Sequence, residues 1–175
     1  ALAPCPDLTT RGSRRAGLQV TVSDYTHWQR RDLPNLTLAP GEAHRMVQAI
    51  TVDPRNSRRI LLGAADAGRG DQSGGLYLTE NGGQTWRRIG REGPQTFGGY
   101  FHPRHDGWIY MTLTEGAPGA GLWLSRDNGG TWRAFNDLPF ANIQRVEFDP
   151  ADEATIHVTT FGGSVWRGPV VPAGD

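Results

Sequence analysis

The chain has 175 residues, 37% of them apolar, with 24 glycines, 12 prolines and a formal net charge of zero. That length is ample for a core, and the glycine and proline content suits a many-turned β-protein. Balanced charge gives no long-range field toward nucleic acid or an anionic membrane, no apolar run approaches the ~20 residues of a membrane helix, and the single Cys5 leaves no internal disulfide.

In chain order, residues 1–16 carry Pro4, Pro6 and Gly12 and read as an irregular segment. Residues 17–33 read as a strand pair: Gly17-Leu18-Gln19-Val20-Thr21 lines up with Gly75-Leu76-Tyr77-Leu78-Thr79, and Trp28 follows Thr21 as Trp86 follows Thr79. Residues 34–46, with Pro34, Pro40 and Gly41, read as a connector. Residues 47–90 open with Ile50-Thr51-Val52-Asp53-Pro54, continue with Arg59-Ile60-Leu61-Leu62, and end in the hairpin Thr79-Glu80-Asn81-Gly82-Gly83-Gln84-Thr85-Trp86. Residues 91–138 repeat that plan. Gly99-Tyr100-Phe101-His102-Pro103 and Gly107-Trp108-Ile109-Tyr110-Met111 precede Ser125-Arg126-Asp127-Asn128-Gly129-Gly130-Thr131-Trp132. Residues 139–169 start a third copy and stop after three strands: Val146-Glu147-Phe148-Asp149-Pro150, Thr155-Ile156-His157-Val158 and Ser164-Val165-Trp166-Arg167. Residues 170–175 form a tail.

The hairpin pattern Ser/Thr-x-Asp/Asn-x-Gly-x-Thr-Trp thus occurs twice, 46 residues apart. Short apolar runs bounded by Gly and Asn/Asp clusters read as strands joined by turns. A period in the forties suits a four-stranded propeller blade. Each motif position has a structural role. Thr79, Asn81, Gly83 and Thr85, like Ser125, Asp127, Gly129 and Thr131, supply local side-chain bonds and positive φ. Trp86 and Trp132 are the large apolar anchors. The expected fold is all-β: a propeller portion of four-stranded antiparallel blades, about three in this chain, with 17–33 as an outer half-blade.

The two motifs resemble Asp-boxes, also called bacterial neuraminidase repeats. The blade pattern over residues 17–169 resembles propellers of the sortilin receptor type, xyloglucan hydrolases, sialidases and photosystem II assembly factors. The resemblance implies a propeller and is silent about reaction, because these families share the box and not the chemistry. Neither the sialidase arginine triad with its Tyr/Glu pair nor the two catalytic aspartates of xyloglucan hydrolases maps onto this sequence residue by residue.

In such a ring, ligands sit at the channel mouth, reached by the loops between second and third strands. Here those loops carry Asp66, Arg69 and Asp71, then Glu115. Asp66, Asp71 and Glu115 are the candidate catalytic carboxylates, able to serve as acid and base on a glycosidic bond if two stand about 5–9.5 Å apart. The other reading is a solvated, Gly-rich loop. Arg69, Phe97 and Tyr100 are candidate ligand contacts, the aromatics as platforms for sugar rings, with core packing the competing role for Tyr100. His102-Pro103-Arg104-His105-Asp106 superficially looks metal-binding, yet the repeat puts His102 where Asp53 and Asp149 stand, in a turn. Asn81 and Asp127 lack the further carboxylates of a calcium loop. No metal and no cofactor is expected.

Half a blade, two full blades and a three-stranded one do not close a ring, which needs at least about four blades. The expected partner is therefore the remainder of the propeller, a second chain or a homodimer mate, with a glycan or peptide as ligand. Ala1 in place of Met fits a mature secreted product or a piece of a longer protein, and the expected location is extracytoplasmic (secreted or periplasmic) in a bacterium; the sequon Asn35-Leu36-Thr37 matters only in a eukaryotic secretory protein. Two functions follow as expectations: a protein-binding or assembly scaffold, or part of a glycan-directed propeller of the glycoside hydrolase or sialidase type.

Overall fold

The computed structural model describes residues 14–21, 28–38, 47–65, 74–90, 96–114, 119–136 and 138–174, with side chains from residue 47 onward. Strand β1 (Arg14–Thr21) pairs antiparallel with β2 (Trp28–Leu38). This pair is longer than the sequence suggests. Residues 14–16, expected as irregular, begin β1, and residues 34–38, expected as connector, continue β2. Pro34 is tolerated because the register breaks between Arg15 and Gly17, opposite it. In such a bulge its missing N–H removes no ladder bond.

Three blades follow. Blade one is β3 (Val47–Asp53), β4 (Asn56–Ala64), β5 (Gly75–Thr79) and β6 (Arg87–Arg88), paired in that order. Blade two repeats it with β7 (Thr96–Phe101), β8 (Ile109–Leu113), β9 (Gly121–Ser125) and β10 (Arg133–Ala134). Blade three has β11 (Ile143–Phe148), β12 (Thr155–Thr160) and β13 (Val165–Pro169). All pairings are antiparallel. The fold is all-β, three antiparallel sheets of propeller type beside the β1–β2 pair.

The alternation of side chains along each strand builds the seams between blades. Leu61, Leu76, Leu78 and Ile89 of blade one pack against Phe101, Ile109, Met111 and Leu113 of blade two. The opposite face of blade two gives Tyr100, Tyr110, Leu122, Leu124 and Phe135 to Ile143, Val146, Ile156 and Val158 of blade three. Both faces of the central blade are therefore core, which is why β8 is buried along its whole length. Truncating Leu61, fully buried in the first seam, to Ala costs about 2–5 kcal/mol. Ile60, Leu62, Ala64, Tyr77 and Trp86 form a further buried cluster on the other face of blade one.

The two motif hairpins close by local bonds. The Thr79 hydroxyl accepts from Gly83 N–H (2.9 Å) and donates to Asn81 Oδ1 (2.9 Å), which also accepts from Thr85 N–H (2.9 Å). In the second copy the Ser125 hydroxyl accepts from Gly129 N–H (2.8 Å) and donates to Asp127 Oδ1 (2.7 Å), and Asp127 takes both the N–H and the hydroxyl of Thr131 at 2.8 Å. The N–H of Thr131, then the Ser125 hydroxyl, hold the Asp127 carboxyl down at about 2. Gly83 and Gly129 sit at φ 85° and 87°, where a Cβ is strained. Trp86 donates its indole N–H to Gly83 O (3.2 Å). Trp132 donates to Gly129 O and also across the seam to Ile89 O at 2.8 Å, so this anchor ties blade two to blade one.

The turn between first and second strands repeats a second device. Asp53 Oδ1 accepts from Arg55 N–H, and Asp149 Oδ1 from the N–H groups of Ala151 and Asp152. In blade two His102 Nδ1 does the same for Arg104 and His105, both at 3.1 Å. Because β-strands alternate direction, these turns and the motif hairpins share one end of the array. The ends of the second strands and the starts of the third lie at the other.

Candidate functional site

The first strands of the three blades, β3, β7 and β11, lie side by side and line a concavity of about 660 Å³. Gln48, Ile50 and Val52 come from β3, Phe97 and Tyr100 from β7, and Gln144, Arg145 and Glu147 from β11, with Thr159 of β12 at the margin. Their spacing follows from the turn that ends each first strand. Thr51, Tyr100 and Glu147 occupy one repeat position, two residues before the turn Asp or His. Val52, Phe101 and Phe148 occupy the next.

The chemistry of the wall is mixed. Ile50 and Val52 are 46% and 47% exposed, large apolar side chains left facing solvent. Arg145 Nε donates to Glu147 Oε1 at 2.7 Å across an exposed surface. Gln48 and Gln144 add amides. Among the described lining residues Glu147 is the one carboxylate. Such a wall sets exposed apolar side chains beside a pair of opposite charges.

Of the residues singled out from sequence, Asp66, Arg69, Asp71 and Glu115 lie outside the described residues. Phe97 and Tyr100 both line the concavity. Phe97 is half-buried. Tyr100 is buried in the seam to blade three, and its hydroxyl donates to Gln144 O at 2.8 Å. Burial pushes that phenol up to about 12. Its edge can line a ligand, but its polar tip is already engaged. The motif residues stand away from the concavity, between the third and fourth strands of their blades.

Sequence reasoning passed over Gln48, Gln144, Arg145 and Glu147. Their signal was positional: residues at equal offsets before the Asp/His-Pro turn must line one wall. It also passed over a polar cleft of about 510 Å³ at the turn end, lined by Asp53, Arg55, Asn56, Arg59, Glu80, Asp106 and Asn128. Arg59 is its hub. Nη1 reaches the buried Asp53 carboxylate at 2.9 Å and Asp106 of blade two at 3.3 Å, while Nη2 donates to Asn128. The guanidinium lies 5.1 Å from the Phe101 ring centroid, within cation–π range. Asp106, Asn128 and Phe101 belong to blade two, so this cleft ties the two blades together.

No family model matches the chain. Over 111 residues it is 30% identical to the oligoxyloglucan-reducing end-specific xyloglucanase of Emericella nidulans, covering 60% of this chain and 12% of that protein. The GH74 enzyme of Niastella koreensis superposes with a TM-score of 0.61 at 18% identity, over 89% of this chain and 25% of that one. Ycf48 bound to D1 peptide superposes with a TM-score of 0.51 at 12% identity, over 92% of this chain and 49% of that one. These likenesses, with the two intact hairpin motifs, show an Asp-box β-propeller fold of which the chain spans a part.

Proposed function

We propose that this chain is the blade array of a binding and assembly propeller, and that its inner-strand concavity receives an extended polypeptide segment. The observation that carries this reading is the wall itself: exposed Ile50 and Val52 beside the Arg145–Glu147 pair and two glutamine amides. An extended peptide brings apolar side chains at alternate positions and unpaired backbone amides between them. The likeness to Ycf48 bound to D1 peptide supports the same choice. The test is selection of peptides against the full chain, followed by titration of a selected peptide against Ile50→Asp and Arg145→Glu variants. Each substitution weakens binding by about tenfold or more, as loss of a buried apolar or charged contact does. Affinity unchanged by both ends the reading.

The second reading is a glycan-directed propeller. The 30% identity with a xyloglucanase favours it, and Asp66, Asp71 and Glu115 are its acid candidates. Xyloglucan oligosaccharides that bind the full chain, and that Asp66→Ala and Asp71→Ala release, would place the chain in this class. In either case the remainder of a ring, supplied by more of the same protein or by another chain, belongs to the proposal.

A further inference from the structure

Blade three differs from its neighbours on one face. In blade one the rung Thr51–Leu61–Leu78 faces blade two, and in blade two the matching rung Tyr100–Tyr110–Leu124 faces blade three. Leu61, Leu78, Tyr110 and Leu124 are all at most 3% exposed. The same rung in blade three is Glu147–His157–Arg167. Their side chains are 61%, 39% and 63% exposed. Where two blades present buried Leu or Tyr side chains on their second and third strands to the next sheet, the third presents an imidazole and a guanidinium there, with an acid on its first strand.

A second, independent series stops at the same place. Two residues after the turn Asp or His, Arg55 of blade one pairs with Asp106 of blade two at 3.3 Å, and Arg104 of blade two pairs with Glu153 of blade three. Both acids stand four residues after the turn residue of their own blade. The matching arginine position in blade three is Ala151. The face therefore lacks both the apolar rung and the ion pair with which each earlier blade holds its successor.

The charges on this face are ordered. Glu147 lies on the inner strand β11, His157 on β12, and Arg167 on the outer strand β13. Each is oriented by a neighbour: Glu147 by Arg145, His157 by Asp149 at 3.3 Å, Arg167 by Asp152 at 3.2 Å. A second sheet of the same kind, turned by a two-fold axis lying in the interface parallel to β12, sets inner strand against outer strand. Glu147 then meets Arg167 of the second copy, Arg167 meets its Glu147, and the two His157 residues meet on the axis. A two-fold axis across the strands instead sets Glu147 on Glu147 and Arg167 on Arg167.

We propose that the outward face of blade three is a homotypic docking surface, which takes a second copy of this chain through reciprocal Glu147–Arg167 pairs about an axis parallel to β12. The closure is charged, so it is salt-sensitive. Glu147 also lines the inner-strand concavity, so the two surfaces meet along β11, while His157 and Arg167 belong to the docking face alone.

Sedimentation velocity on the full chain tests it. The chain forms a dimer at low salt that dissociates at about 1 M salt, where the Debye length is ~3 Å. Glu147→Arg and Arg167→Glu, each alone, weaken the dimer by about tenfold or more, because each sets like charges opposite one another. Mixing the two single variants restores association, since the first then carries a guanidinium at both ends of the rung and the second a carboxylate at both ends. That rescue also shows both variants folded. A wild-type chain monomeric at low salt overturns the proposal. So does a dimer that neither reversal weakens, or a pair of variants that stay apart when mixed.

Discussion

Lowering the pH protonates His102, and the cost can be worked from its surroundings. The ring is 2% exposed, with His105, Trp108, Tyr110 and Phe148 around it at centroid distances of 4.5, 5.4, 6.3 and 5.0 Å. Its Nδ1 is committed as acceptor to two backbone N–H groups, so the neutral ring carries its proton on Nε2. Burial first, then His105, Arg55 and Arg104, drive the pKa down from 6.5 to about 4. A folded-state pKa below the unfolded one means that the native state binds the proton less well. The stability from neutral His102 is therefore fully present above pH 6.5 and is lost as pH falls through about 4. The shift corresponds to about 3 kcal/mol, with a slope of at most ~1.4 kcal/mol per pH unit. Urea unfolding followed by tryptophan fluorescence, at fixed protein concentration across that window, reads it directly. The control is His102→Asn, whose Oδ1 can accept the same two N–H groups but cannot titrate. It carries a fixed packing cost of about 1–3 kcal/mol, and its difference from wild type shrinks as pH falls. Parallel pH curves for wild type and variant would refute the account.

Three other substitutions probe the seams and hairpins. Arg59→Met removes the hub that faces the 2%-exposed Asp53; it lowers stability by about 2–4 kcal/mol, and Arg59→Lys recovers little of it because one ammonium cannot span Asp53, Asp106 and Asn128, as denaturant midpoints will show. Gly63→Ala places a Cβ 2.6 Å from the Phe97 carbonyl oxygen and 3.0 Å from Gly98 Cα, both backbone atoms of β7; forcing blades one and two apart costs about 1–3 kcal/mol, read in thermal melts. Asp127→Ala removes the acceptor for three donors in the second hairpin and costs about 1–2 kcal/mol, whereas Asp127→Asn stays close to wild type, since Asn81 already does this work in blade one; urea midpoints of the pair decide it.

The hairpins were legible in the sequence because the Ser/Thr and Asn/Asp side-chain bonds that close them span at most four residues. The order of strands was legible for a related reason: apolar runs and turn residues recur at one period, and chain-adjacent strands pair. His102 could be read as a turn residue from its repeat position alone. Strand ends were less legible. They are set by what pairs across the ladder, so β2 runs on through Pro34 where a bulge spares it an N–H.

Contacts between blades were decided by the tertiary structure. Arg59 meets Asn128 from 69 residues away, Arg55 meets Asp106 from 51, and the Tyr100 hydroxyl finds Gln144 O from 44. No local pattern encodes such pairs, because they depend on how neighbouring sheets turn relative to one another. The inner-strand wall and the charged rung of blade three sit at repeat positions readable from the sequence, but which of their side chains lie buried or exposed is set only when the sheets pack. What the one-dimensional chain dictates is the blade; what the packed molecule adds is which faces of the blades are dry, which are charged, and which remain open to a partner.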